Sequence, residues 1–427
     1  MRGHHAFLWI WIVSLAGLTL LVGAVNLCVD PYLVFGMPRI AGLSSVKPAT
    51  KDHAMLAKTF QVARFRPNTV VIGSSPVHIG IDAADPAWPK SMGRVYNYGI
   101  PGIYETSIGL RTLQEAVATG GVRNAVVFLD FQNFFSPENP DPSLREAERR
   151  FRFLPDGRPN PDRSGQRTYD RFLSLETMGA LIDSLTTVAL QGRHNVLNLA
   201  PDGSGSEADF IDAARGDGMH ELFAQKDAFE AERARKLVPI MANWFGTLPD
   251  MDQVAAIIAF ARTHDIRLTL AIAPHHADAL DLYWRDGLWP RVEQLKIELT
   301  DLVAAQGGAV TLWDFLDYSP FNTEPVPAAG DRRTPTRWFW EPTHFKKQLG
   351  AVMIRRMFGQ DAPAFGVMLT RDNVVARNAD IRTHRHALVC NPERQGPTAP
   401  VPLPGDRCDH APTAAPANLT GQPDRPT

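Results

Sequence analysis

Thr69-Val70-Val71-Ile72-Gly73-Ser74-Ser75-Pro76-Val77 is the run whose reading decides the fold. A β-branched, apolar segment stops abruptly at Gly-Ser-Ser-Pro. That predicts a buried strand over 69–73, a tight turn, and a helix or extended segment from Pro76. A serine at such a strand end stands on the rim of a parallel sheet, where open α/β folds hold their ligands. To act as a nucleophile it needs a base, a group that orients the base, and donors for an oxyanion.

Downstream, a second strand over 94–98 runs into Asn97-Tyr98-Gly99-Ile100-Pro101-Gly102, a turn where backbone can approach a ligand closely. A helix is expected over 104–118. The apolar strand 124–130 follows and ends in Leu129-Asp130-Phe131-Gln132-Asn133. Strand, helix and strand in alternation predict a parallel sheet with crossover helices. The stretch 136–168, rich in Pro, Asp and Arg, breaks that pattern. With helices over 170–190 and 221–245 and a loop over 201–218, it reads as an insertion at about 136–245. The alternation then resumes: helix 251–264, strand 266–273 ending at Pro274-His275-His276, helix 290–306, and strand 309–313. After a polar, Pro-rich segment, Trp338-Phe339-Trp340-Glu341-Pro342-Thr343-His344-Phe345 leads into a last helix over 346–358. Upstream, 52–65 has helical spacing, with Asp52 as its cap.

Hydrophobic residues make up 44% of the 427, which suits a globular body. A net charge of −2 without a basic cluster argues against a nucleic-acid partner. Residues 6–29 are apolar and uncharged for long enough to cross a bilayer, with Arg2 before and Asp30 after favouring an inside N-terminus. A cleaved signal peptide is the rival reading. Either way the body is exported, in a bacterium to the periplasm, and an uncleaved helix makes the chain a single-pass protein of the cytoplasmic membrane. The expected organisation is an anchor or signal at 1–30, a linker at 31–50, an α/β domain at 51–386, and a disordered Pro-rich tail at 387–427. Cys28, Cys390 and Cys408 make no metal pattern; the last two either pair in an oxidising compartment or stay as free thiols.

Several residues have both a chemical and a structural reading. Ser75 is the candidate nucleophile, although most strand-end serines only cap helices; Ser74 is its rival by one residue of register. His344 is the candidate base, with Glu341 three residues before it to orient the ring; a surface histidine at a helix start is the plain alternative. The Gly99 amide and the Asn97 and Asn133 side chains are candidate oxyanion donors, and a left-handed turn explains the same glycines. Adjacent His275 and His276 point in different directions and so make a poor metal pair; they are candidates for substrate binding, with ordinary rim polarity as the alternative. Trp338 and Trp340 are candidates for a sugar-stacking wall, or else packing residues.

In combination, a serine after the first strand, a glycine turn after the second, an amide after the third and x-x-His before the last helix stand in one chain order. That order resembles the SGNH hydrolase superfamily, also called GDSL-like. Gly73-Ser74-Ser75 is similar to its first block, Asn97-Tyr98-Gly99 to its second, and Glu341-Pro342-Thr343-His344 to its fifth. Three features depart from it: Ser74 replaces Asp, Glu341 replaces Asp, and the Gly-x-Asn-Asp third block is not legible. The resemblance implies a flavodoxin-like parallel sheet and cofactor-free acyl transfer or ester hydrolysis, with Ser75 attacking, His344 as base, Glu341 holding the ring, and the Ser75 and Gly99 amides on the oxyanion. A Gly-Ser-Ser turn behind an N-terminal anchor is similar to the extracytoplasmic proteins of alginate O-acetylation and D-alanyl transfer to teichoic acid. That likeness implies a polysaccharide acceptor and a membrane-bound O-acyltransferase as partner. A non-catalytic carbohydrate-binding or scaffold subunit of such a system is the alternative.

Overall fold

The computed structural model describes residues 2–102, 106–134, 148–154, 156–242, 246–248, 250–391 and 408. Strands β1 (Thr69–Gly73), β2 (Val95–Gly99), β3 (Asn124–Leu129), β4 (Arg267–Ile272) and β5 (Val310–Asp314) lie parallel in the order β2-β1-β3-β4-β5. A short strand over Val367–Met368 closes the β5 edge antiparallel. The chain is therefore an α/β protein with a mostly parallel six-stranded sheet.

β1 is central, paired to β2 on one side and β3 on the other. Its alternation feeds two cores: Val70 and Ile72 pack in one, Val71 in the other. The first core is covered by α2 (Ala54–Phe65), α4 (Thr106–Val117), α9 (Met251–Thr263), α10 (Ala277–Arg285) and α11 (Trp289–Ala304). The second takes α3 (Ser75–Gly80), the hairpin β6 (Phe339–Glu341) and β7 (His344–Phe345), and α12 (Lys347–Met357). A last helix, α13 (Val374–Val389), extends past the expected start of the tail, and Cys390 is disulfide-bonded to Cys408.

The insertion is helical: α5 (Arg163–Glu176), α6 (Met178–Ala189), α7 (Ala208–Gly216) and α8 (Met219–Ala242). Two expectations change here. The helix expected over 170–190 is two helices, because Thr177 is extended and its side chain caps α6. The loop expected over 201–218 contains α7. Upstream, Asp52 does not cap α2; His53 stands at that position without a side-chain cap.

α1 (Arg2–Val29) is long and apolar enough to cross a membrane, and it lies near the N-terminus. Its last turn is docked on the body, and so is the stretch expected to be a linker. Asp30 accepts the amides of Gly36 at 2.7 Å and Met37 at 3.1 Å. The buried Lys47 ammonium donates to the carbonyls of Val29 and Asp30. Tyr32, Leu33 and Val34 are buried. Short-range capping by Asp30 and a lysine 17 residues away fold this segment back, an arrangement that Gly and Pro content alone does not reveal.

Candidate active site

Gly73 ends β1, and a Cβ there would lie 2.5 Å from Val77 Cγ2, so a side chain would block the turn. The turn sets Ser74 at the N-cap of α3 and Ser75 in its first turn. Of the two serines, Ser75 meets the histidine: its Oγ lies 2.8 Å from His344 Nε2, across 269 residues of chain. Ser74 lines the same cavity.

His344 and Glu341 are paired directly across the β6–β7 hairpin, whose turn is Pro342-Thr343. Directly opposed residues project to one face, and Glu341 Oε1 bonds His344 Nδ1. Thr343 Oγ1 donates to Glu341 Oε1 at 3.1 Å and the Thr343 amide to Oε2 at 3.3 Å. Burial pushes the Glu341 carboxyl up, but His344, Lys226 and the Thr343 amide outweigh it and hold it below its ordinary value. An anion at Oε1 calls for hydrogen on Nδ1, leaving the Nε2 lone pair to accept the Ser75 hydroxyl. Two glycines permit the approach: a Cβ on Gly350 of α12 would lie 2.0 Å from Gly80 O, and one on Gly80 2.3 Å from the Phe345 ring. α3 and α12 therefore pack backbone to backbone, drawing the hairpin to Ser75.

The facing wall comes from the next two strand ends. Asp130 follows β3 and His275 follows β4; His275 Nε2 lies 2.9 Å from Asp130 Oδ2. Asp130 Oδ1 also accepts the Gln132 amide at 3.1 Å. Burial pushes Asp130 up, yet His275 and that amide hold it at about 2. For His275, burial lowers the pKa, but Asp130 and more distant carboxylates raise it above the ordinary value. His275 Nδ1 is buried without a hydrogen-bond partner. Lys226, Glu230 and Arg233 of α8 line the same cavity with Gln132 and Thr343. Lys226 pairs with Glu230 at 2.8 Å.

Two of the expected oxyanion donors, the Gly99 amide and the Asn97 side chain, are spent elsewhere. Gly99 N–H donates to Asn97 Oδ1 at 2.8 Å, and Asn97 Nδ2 donates to Val77 O at 2.8 Å and Ile81 O at 2.6 Å. These bonds tie β2 to α3 and leave neither group for a ligand. Behind them Lys58 donates to the carbonyls of Asn97 at 2.9 Å and Gly99 at 2.5 Å, and burial holds its ammonium well below the ordinary range. Asn133 sits in a single 3₁₀ turn after β3; its side chain lies outside the described residues. The Ser75 amide belongs to the first turn of α3, whose N–H groups have no intrahelical acceptor.

His276 turns away from the cavity. Its Nε2 bonds Glu324 O at 2.9 Å, its Nδ1 accepts the Asp278 amide at 3.3 Å, and Phe223 and Phe339 meet its ring edge-on. Trp340 and Trp338, the candidates for a sugar-stacking wall, both make packing contacts within the body. Trp340 stacks on Phe210, donates to Glu207 at 2.8 Å and lies under Lys346. Trp338 packs on Phe321 under Arg337. The aromatic ring beside His344 is Phe210 of α7, 5.3 Å away centre to centre.

Sequence reading missed Lys226, Glu230, Arg233, Thr343 and Phe210. The first three recur at i, i+4 and i+7, one face of a helix, and that spacing was the available signal. Among the described residues no group of three or more His, Cys, Asp or Glu is placed to hold a metal ion. The chain matches no protein-family model, and no curated protein matches it either.

Proposed function

We propose that this chain is an SGNH-type serine acyl-transfer enzyme, held outside the cytoplasmic membrane by α1 and acting on a cell-surface or exported polysaccharide. The observation that carries the chemistry is the Ser75–His344–Glu341 line: hydroxyl to Nε2, Nδ1 to a buried, desolvated carboxylate. Further support comes from the sheet order β2-β1-β3-β4-β5, which is that of flavodoxin-like folds. The cavity opens at the carboxyl ends of β1, β3 and β4, at the switch point of that order. The long apolar α1 and the Cys390–Cys408 disulfide suit an exported protein.

In this reading Ser75 Oγ forms a bond to the acyl carbonyl carbon while its proton passes to His344 Nε2. Glu341 steadies the resulting imidazolium. The tetrahedral oxygen faces the Ser75 amide. The leaving group departs with the proton from Nε2, giving the acyl-serine. A sugar hydroxyl, deprotonated by the same nitrogen, then takes the acyl group; if water takes it, the reaction is ester hydrolysis. A membrane-bound O-acyltransferase is the partner that would supply the donor.

One observation favours a second reading, a carbohydrate-binding or scaffold subunit without turnover: the Gly99 amide and the Asn97 side chain are both internally bonded. A fluorophosphonate probe with peptide mass spectrometry separates the two. An adduct on Ser75 that is lost in His344→Ala is the expected result. Absence of any adduct on folded protein would leave only the binding reading.

A further inference from the structure

The insertion carries a helix that is folded inside out. On α6 the side chains turned into the body are Ala180, Ser184 and Thr187, all buried. Those turned to solvent are Met178, Ile182 and Leu185, at 64%, 58% and 56% exposure. Both sets follow i, i+4, i+7, so each forms one face, and the apolar face is the outer one. α5 adds Tyr169 and Phe172, at 54% and 58% exposure. The only ionisable group on α6, Asp183, accepts the Tyr32 hydroxyl at 2.5 Å. A contiguous apolar face of this kind is a contact surface rather than ordinary scatter.

Its position indicates what covers it. The turn between α5 and α6 packs on the last turns of α1: Asn26 Nδ2 donates to Leu175 O at 2.8 Å, and Ser184 Oγ donates to Asn26 Oδ1 at 2.9 Å. Gly23 lies against Glu176. From His4 to Leu21, α1 is exposed along its whole length. At 1.5 Å per residue that stretch is roughly 27 Å long, close to the ~30 Å of a hydrocarbon core. The level at which α1 leaves the hydrocarbon is therefore the level of the α5–α6 hairpin.

We propose that α5 and α6 form a second membrane contact, lying in the lipid interface on the body's side with Met178, Ile182 and Leu185 among the acyl chains beside α1. The inference rests on reading α1 as a span and is independent of the serine chemistry. An amphipathic helix in this role buries its apolar face by about 5–10 Å. Tyr169 is of the type enriched at that depth.

The test uses the full chain with Cys28→Ser, which removes the one free, exposed cysteine and keeps the disulfide. An environment-sensitive NBD label is placed singly at Ile182→Cys, Leu185→Cys, Leu15→Cys in α1, or Lys236→Cys on the exposed side of α8. Each protein is reconstituted in phosphatidylethanolamine–phosphatidylglycerol vesicles with and without doxyl-labelled lipid. At 182 and 185, quenching by doxyl lipid at least about twofold that at 236 is expected, with comparable protection from aqueous dithionite. Quenching at 15 but not at 182 or 185 would overturn the proposal and leave the span standing. Quenching at none of the three would overturn both. Quenching at 182 only in native membranes, not in pure lipid, would also overturn it, in favour of a protein partner. Equal quenching at 236 would overturn it as non-specific adsorption.

Discussion

At the end of β3, Asp130 meets His275 across a cavity that also holds Ser75 and His344. At the end of β5, on the same rim, Asp314 meets Lys296 at 2.8 Å and Arg377 at 3.2 Å beneath α13. The second cluster runs on through Arg377 to Asp317 at 2.9 Å and His384 to Asp317 at 2.8 Å. Both are buried ion pairs at strand ends, and they differ in what lies over them. α13 covers Asp314 and Lys296, which are fully buried, and the pairs that Arg377 and His384 make join helix to sheet. The β3–β4 pair lines a cavity and faces a hydroxyl and an imidazole. Strand-end charge is thus a property of the fold, and access to the nucleophile is what separates a candidate reactive rim from a staple.

The widest separation of the two should come from His344→Ala. We expect serine labelling to fall by about 10³-fold or more, with a smaller loss in urea stability than Asp314→Ala causes, because Thr343 still donates to Glu341 and the freed carboxyl can take up a proton. Loss of the fold along with the labelling would erase the distinction drawn above. Asp314→Ala should do the reverse: it leaves the buried Lys296 ammonium without its carboxylate and takes one of two from Arg377, which keeps Asp317, at a cost of about 3–5 kcal/mol in urea unfolding, with whatever protein remains folded still labelled at Ser75. Asp130→Asn should lie between them, at ~1–2 kcal/mol of stability. Asp130 is held down, so its share of the pair is present above its ordinary range and lost as pH falls towards 2. His275 is held up, so its share is present below the ordinary histidine range and lost as pH rises through its folded value. The variant's deficit should therefore be greatest near pH 5–6 and shrink in alkali, as read by urea unfolding at several pH values.

Asp227 sharpens the comparison from the opposite side, because burial and nearby carboxylates raise it to about 7 while Oδ1 has no hydrogen-bond partner. Its folded pKa exceeds its unfolded one, so stability falls as pH rises from 4 to about 7 and the loss is complete above that. Asp227→Asn should raise stability by ~1–2 kcal/mol at pH 8 and leave it unchanged at pH 4, an effect of opposite sign to the other three.

Signals confined to a few residues were legible in the sequence. The run 69–77 marked β1, its turn and the serine, and the spacing of Glu341 to His344 marked a pair that the hairpin then places face to face. The parallel alternation was readable because each strand carries a short apolar run, unbroken in β1 and β3, and stops at a turn signal. Signals that depend on distant chain were not. The Asp130–His275 bond spans 145 residues. α7 hides in a segment rich in Gly, Asp and Ser, and the hairpin strands around Pro342 are too short for a period to show. Asn97 and Gly99 were singled out correctly as special, but as donors to a ligand; their hydrogen bonds are instead consumed within the strand-end turn.

The docking of residues 30–47 onto the body has a mechanical consequence. A loose tether lets a domain roam through a hemisphere set by chain length. Here the last turn of α1, the Asp30 loop and Lys47 form one rigid post. If α1 stands upright in a bilayer, as proposed, the altitude of Ser75 above the lipid is fixed by architecture, and under the proposed function reactants would have to be delivered at that height. Extra residues inserted between 30 and 47 would unseat the body rather than extend its reach.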